Sequence, residues 1–280
     1  MKNAFIDRVN FIFFIVAASF IFIGCNNNAF DGLSSKTTDD ALLEDARKAV
    51  NQQEYQVAID IITTQLTASA QAQTEAKQIL ANGYAGKCGL NFVTFVSGLS
   101  TATSGSAFRL LSSPFVGQAV DPASCYTSLQ VMDSIGSTAQ RTADQNAFTS
   151  VVGMTLIGSA IRLYTDAAPT SSHGDGTEDV ANSSCALTNQ QIDYVILGFG
   201  YMANNFSYLS NQLGSTSQGT ISGVVSVCNG IPGVSCIVTD PTQISTLLRD
   251  TMKDLLNTTD YGVGTVTTGG NAVTLVGACP

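Results

Sequence analysis

Seven cysteines are the residues of this 280-residue chain best able to do chemistry. A thiol can close a disulfide, bind a metal, act as a nucleophile or accept an acyl group, and spacing decides among these. Cys88, Cys125, Cys185, Cys228, Cys236 and Cys279 form an even set, suited to three disulfides in an oxidising compartment. Six cysteines can be paired in many ways, and spacing alone does not choose among them. Cys228 with Cys236 is the preferred pair, because Asn229-Gly230-Ile231-Pro232-Gly233 between them supplies turn residues for a small closed loop. Cys88 with Cys125 and Cys185 with Cys279 then follow by default. The rival use is a metal centre, but no Cys-x-x-Cys occurs and His173 is the sole imidazole, so no metal ligands are assigned.

The densest polar run is Thr170-Ser171-Ser172-His173-Gly174-Asp175-Gly176-Thr177-Glu178-Asp179. Its oxygens are of the kind that bind Ca²⁺, yet their spacing does not match an EF-hand loop, and the run reads as a solvated connection between helices. His173 has no positioned nucleophile beside it in sequence. No nucleophile elbow, zinc-protease helix, phosphate loop or dinucleotide fingerprint is present, so no catalytic or cofactor-binding residue is assigned and the chain is read as a non-enzyme.

The seventh thiol, Cys25, has a different setting. Lys2 and Arg8 precede the apolar run Phe11–Ile23, and small Gly24 follows it. This is the layout of a signal peptide, shorter than the roughly 20 residues a comfortable membrane span requires. Ile23-Gly24-Cys25 resembles the lipobox of bacterial lipoprotein precursors, with Phe22 standing where that family usually has leucine. The resemblance implies cleavage after residue 24, fatty acylation of Cys25 and a permanent hold on membrane lipid. Asn26 stands where an aspartate tends to retain such proteins in the inner membrane, so the resemblance implies an outer-membrane lipoprotein facing the periplasm.

The formal charge of −9 repels nucleic acid, whose recognition rests on Lys and Arg neutralising phosphates. Charged residues make up 12% of the chain, about half the usual share, so hydroxyls, amides and glycine must cover the surface.

The elements that carry these cysteines read as helices. Residues 25–37 lack periodicity and are expected to be a flexible tether, with an ordered domain over 38–280. Thr38 or Asp39 can cap a first helix whose apolar positions are Leu42, Leu43, Ala46, Ala49 and Val50. Helices are predicted at Tyr55–Leu66 and Gln73–Tyr84. Ala46, Ala49, Tyr55 and Ala58 stand where tetratricopeptide repeats place small and aromatic packing residues, and Leu80, Ala81 and Tyr84 resemble the start of a next repeat. The resemblance covers residues 38–89 and stops after Gly89, and an unrelated helical hairpin accounts for the same pattern.

Short helices are expected at Phe92–Leu99 and Phe108–Val116, and longer ones at Ser124–Ile135 and Gln145–Tyr164. The last of these is apolar nearly all round and carries serine, threonine and glycine, which marks a central core helix. Thr188-Asn189-Gln190-Gln191 has the form of a capping box and opens a helix expected to run to Leu213 and stop at Gly214. Tyr194, Tyr201, Phe206 and Tyr208 on it fit either a core stripe or a ligand groove. A final helix is expected from Asp240-Pro241 through Leu255, with Arg249, Asp250, Lys253 and Asp254 on a solvated face. Thr265–Val276 alternates loosely around Gly269-Gly270-Asn271, a pattern that fits a small hairpin pinned by Cys279.

The expected fold is therefore a mainly α, disulfide-braced multi-helix bundle with a repeat-like N-terminal hairpin and a small C-terminal β-hairpin. The expected role is a membrane-anchored envelope protein that binds or scaffolds another envelope protein. A carrier of an apolar small molecule or lipid is the alternative.

Overall fold

The structure is a computed structural model that describes residues 37–101, 106–166, 178–179, 183–210, 213, 215–267, 277 and 279. The signal segment, Cys25 and the tether as far as residue 36 lie outside the described residues, as do His173 with residues 170–177, Gly214 and the expected turn around Gly269-Gly270-Asn271. The chain divides into two units, Met1–Leu42 and Leu43–Pro280. In the first, the opening turn of helix α1 (Asp39–Asn51) is described, with the Thr38 hydroxyl accepting from the Ala41 amide at 3.3 Å.

The second unit is mainly helical. With α1, eleven α-helices are found among the described residues and no strand. They are α2 (Tyr55–Asp60), α3 (Ala68–Gln71), α4 (Thr74–Lys87), α5 (Phe92–Thr101), α6 (Ala107–Ser112), α7 (Pro122–Ile135), α8 (Ala143–Thr165), α9 (Asn189–Asn205), α10 (Ser215–Asn229) and α11 (Thr246–Leu256).

Helix α8 is the centre, as its all-round apolar pattern predicts, and α6, α7 and α9 pack on it. A capping box starts it: the Thr142 hydroxyl accepts from the Gln145 amide at 3.2 Å while the Gln145 side chain accepts from the Thr142 amide at 2.9 Å. Its length and composition would allow it to cross a membrane, but its most apolar stretch is 78% buried by the rest of the chain. Buried hydroxyls are satisfied locally: Thr149, Thr155 and Thr165 donate back to carbonyls one turn earlier at 2.7–2.9 Å.

Glycines set the α8–α9 crossing. A Cβ at Gly153 would lie 2.8 Å from the Gly198 carbonyl oxygen, and one at Gly198 would lie 2.8 Å from the Gly153 carbonyl oxygen. The two backbones touch, and a side chain at either position must push them apart. Gly198→Val is expected to cost about 1–3 kcal/mol, the range for overpacking a filled core. A thermal unfolding midpoint unchanged from the wild type would refute this reading of the crossing.

Three disulfides brace the bundle. Cys88 pairs with Cys125, Cys185 with Cys279 and Cys228 with Cys236, at Cα separations of 5.1, 5.3 and 5.9 Å. Cys88, Cys125, Cys228 and Cys236 are fully buried, whereas Cys185 and Cys279 are half-buried. Thiol exchange requires access to the sulfur. Mild reductant under native conditions is therefore expected to expose Cys185 and Cys279 to alkylation first, as read by peptide mass mapping.

Several elements differ from expectation. The Tyr55–Leu66 helix is α-helical only to Asp60 and continues as a π-helical turn over Ile61–Gln65. The tetratricopeptide-like pairing is not confirmed: α2 packs on α4, with the Tyr55 ring lying over Gly86. The helix opened by Thr188 stops at Asn205 and passes into a 3₁₀ turn over Phe206–Tyr208. Helix α10 was not anticipated, because its Ser-, Thr- and Gly-rich sequence is a poor helix former. The spacing of buried Ser217, Ile221, Val224 and Cys228 nevertheless carries a helical period.

Asp240-Pro241 opens only a 3₁₀ turn, Pro241–Gln243, and α11 starts later with Ser245 as its cap. The charged face of α11 is only partly solvated. Arg249 makes a two-point bond to Asp193 of α9 at 2.7 and 2.9 Å, and buried Asp254 accepts from the Gly277 and Cys279 amides at 3.0 and 2.7 Å. Near the chain end the described residues hold one isolated bridge, Thr258 to Val266, and the hairpin expected over Thr265–Val276 lies almost wholly outside the described residues.

Candidate functional site

A polar cleft of about 390 Å³ lies where the C-terminal ends of α7 and α9 meet. Asp133 comes from the last turn of α7, Arg141 from the loop that follows, Tyr201, Asn204 and Asn205 from the end of α9, and Thr239 from the segment after Cys236. Gly198, three residues before Tyr201, brings α9 close enough to α8 for this end of it to be held firmly.

Asp133 and Arg141 are locked together. The Tyr201 hydroxyl donates to one oxygen of Asp133, and Arg141 Nη1 donates to the other at 3.3 Å. The buried Arg141 also donates through Nε to Asn146 Oδ1 at 3.0 Å and through Nη2 to the Thr138 hydroxyl at 3.3 Å. Asn146 closes the ring by donating to the Thr138 carbonyl at 2.8 Å.

Partial desolvation pushes the Asp133 carboxyl above its ordinary value although its side chain is still 48% exposed, and the bonds from Tyr201 and Arg141 oppose that shift without cancelling it. Burial and the neighbouring Asp133 also push the Tyr201 phenol upward, so it remains a donor at neutral pH. The folded state therefore holds the Asp133 proton more tightly than the unfolded chain does. This group's contribution to stability is full below the unfolded pKa of about 4 and is lost as pH rises through the raised folded value. Urea unfolding from about pH 4 to 7 is expected to show wild type losing stability relative to Asp133→Asn as pH rises. A pH-independent difference between the two would contradict this.

Asn205 stands apart from that network. It is 1% exposed, and its amide nitrogen donates to the Tyr201 carbonyl at 2.8 Å. Because a carbonyl only accepts, the nitrogen must face Tyr201, which assigns the oxygen unambiguously. That oxygen, Oδ1, has no hydrogen-bond partner among the described residues. A buried acceptor left unpaired costs about 1–3 kcal/mol.

Tyr194, Tyr201, Phe206 and Tyr208 do not share a groove. Tyr201 is packed into the core at 3% exposure, and Tyr194 lies against Tyr126 with ring centroids 6.0 Å apart. Phe206 is half-buried on the core, and Tyr208 faces solvent. Of the polar run around His173, the described Glu178 accepts from the Ser184 amide and the Asp179 amide donates to the Thr165 carbonyl at 2.8 Å. No group of three or more metal-ligating side chains lies together among the described residues.

Sequence reading did not find Asp133, Arg141, Asn205 or Thr239. They are far apart in the chain and belong to no motif. The available signal was the pair of asparagines ending an apolar helix at Asn204-Asn205, where a buried amide is costly unless it is used. Searches against protein-family models, curated proteins and solved structures found no match to this chain.

Proposed function

We propose that this chain is an outer-membrane lipoprotein facing the periplasm, held by acylated Cys25, that works by binding rather than by catalysis. The lipobox-like Ile23-Gly24-Cys25 supports the anchor, and three disulfides suit an oxidising compartment. The observation that carries the binding reading is the cleft at the ends of α7 and α9, lined by Asp133, Arg141, Tyr201, Asn204 and Thr239. Asp133, its carboxylate, is engaged on both oxygens, so in this arrangement it serves as a fixed anchor and not as a free base.

Two measurements on the full-length protein extracted from membranes in mild detergent test this. Intact mass with and without reductant is expected to show a chain starting at acylated Cys25 and carrying disulfides. A ligand captured from envelope extract is expected to be recovered chemically unchanged. An unacylated, reduced, cytoplasmic protein overturns the anchor, and conversion of the captured compound overturns the binding reading.

A further inference from the structure

We infer that the Cys185–Cys279 bridge is a reversible thiol–disulfide exchange site, served by a dithiol protein that docks in the cleft around it. Here this chain is itself the group that is modified, apart from any ligand it binds.

Access separates the three bridges. Exchange requires a thiolate to reach a bridge sulfur. Cys88, Cys125, Cys228 and Cys236 are 0% exposed, which closes two of the bridges to any reagent while the fold is intact. Cys185 and Cys279 are half-buried, and both stand in the wall of a cleft of about 580 Å³. This bridge can therefore open while the two buried ones keep bracing the bundle.

A dithiol is the only co-reactant the exchange needs. One of its thiolates adds to a sulfur of the bridge, the Cys185–Cys279 bond breaks, and the departing sulfur leaves as a thiolate and takes a proton. The second thiol of the reagent loses its proton and displaces the mixed disulfide. Two electrons and two protons pass to Cys185 and Cys279, and the reagent is left as a disulfide. The reverse step has a template. The Asp254 carboxylate, 7% exposed, accepts from the Gly277 and Cys279 amides at 3.0 and 2.7 Å. A cut end that frays has these two bonds to return to, so oxidation re-forms the same pair.

The rim of the cleft suits a protein better than a small thiol. Leu247, in the first turn of α11, is 50% exposed. The Cys228–Cys236 loop reaches it, a Cβ at Gly233 lying 4.0 Å from Leu247 Cδ2, and sets exposed Pro232 on the same cleft. Two apolar side chains open to solvent beside a reachable disulfide offer a protein partner a contact to bury. Asp250 and Asp254 outnumber Lys253 along this cleft, and the chain as a whole carries −9, which disfavours an anionic thiol such as glutathione.

The test uses the full-length oxidised protein, extracted in mild detergent, under native conditions. A thioredoxin whose second active-site cysteine is serine forms the mixed disulfide and cannot resolve it. Peptide mass mapping is expected to find it joined to Cys185 or Cys279 and to none of Cys88, Cys125, Cys228 and Cys236. Intact thioredoxin and dithiothreitol then give two rates of reduction for the same bridge. Leu247→Ser is expected to lower the thioredoxin rate about fivefold or more, the effect of trimming one apolar anchor of a docking surface, and to leave the dithiothreitol rate within about twofold. Pro232→Ser is expected to act the same way and supplies the measurement if Leu247→Ser does not fold. No trapped adduct while dithiothreitol still cuts the bridge, or variants that change both rates equally, overturns the docking. A bridge that resists both reagents, or reaction first at a buried pair, overturns the exchange site. None of these outcomes alters the acylation of Cys25 or the binding role of the cleft at the ends of α7 and α9, which have their own tests.

Discussion

Replacing Arg162 with leucine is expected to lower unfolding free energy by about 3–5 kcal/mol, the usual cost of removing one partner from a buried ion pair. Arg162 lies in the last turn of α8, and its side chain is 1% exposed. It pairs with the buried Asp166 carboxylate, donates to the Asp166 carbonyl at 2.7 Å and donates through Nε to the Phe115 carbonyl at 3.1 Å. One guanidinium thus neutralises a buried acid, closes the end of α8 and ties it to the turn after α6. Leucine leaves the Asp166 charge in low dielectric without its cation and strips two carbonyls of donors. Arg162→Lys is expected to lose less, since the charge survives but the rigid fork that reaches several acceptors does not.

Joint replacement, Arg162→Leu with Asp166→Leu, is expected to recover part of the loss, because an apolar pair has no charge left to solvate. Denaturant unfolding of the oxidised proteins measures all three variants. A loss below about 1 kcal/mol for Arg162→Leu would falsify the structural role assigned to this pair.

Removing the Cys88–Cys125 disulfide, as a double alanine variant, is expected to cost about 4 kcal/mol or more. The bridge spans 37 residues and joins the end of α4 to the first turn of α7, where the Asp121 amide also donates to the Cys88 carbonyl at 3.1 Å. Loop-closure entropy for that span accounts for about 3.8 kcal/mol. Losing two fully buried sulfurs adds a cavity beside Ser159, whose hydroxyl is 3.7 and 3.8 Å from them. The Cys185–Cys279 bridge spans 94 residues, so loop entropy alone ranks it higher. Its half-buried sulfurs leave the folded chain able to fray locally once it is cut, which returns entropy to the native state and offsets the gain of the unfolded one. Guanidinium unfolding of both double variants is expected to show the larger loss for Cys88–Cys125, and the reverse order would show that loop length dominates over burial.

Helix content and centre were legible in the sequence because both follow from local rules. The apolar run of α8 has no polar face to turn outward, so burial on every side is its only stable placement. Thr188-Asn189-Gln190-Gln191 signals a helix start because the cap is closed by residues three apart. The Cys228–Cys236 pair chosen on turn chemistry and the two pairs that followed by default are the pairs found in the structure. The α10 helix was missed where propensity and period disagreed: serines and glycines argue against a helix, and packing of Ile221, Val224 and Cys228 overrides them.

The cleft, by contrast, belongs wholly to tertiary structure. Asp133, Arg141, Asn205 and Thr239 come from four segments, and each reads locally as an ordinary polar residue at a helix end or in a loop. What makes Asn205 distinctive is that its amide is buried while only its nitrogen has a partner among the described residues, the Tyr201 carbonyl one turn earlier in α9. Local sequence determines where the chain turns helical and which faces are apolar, because those depend on neighbours a few residues away. Which polar group ends up buried, paired or left with an open valence depends on what folds over it, and that was decided only when distant helices met.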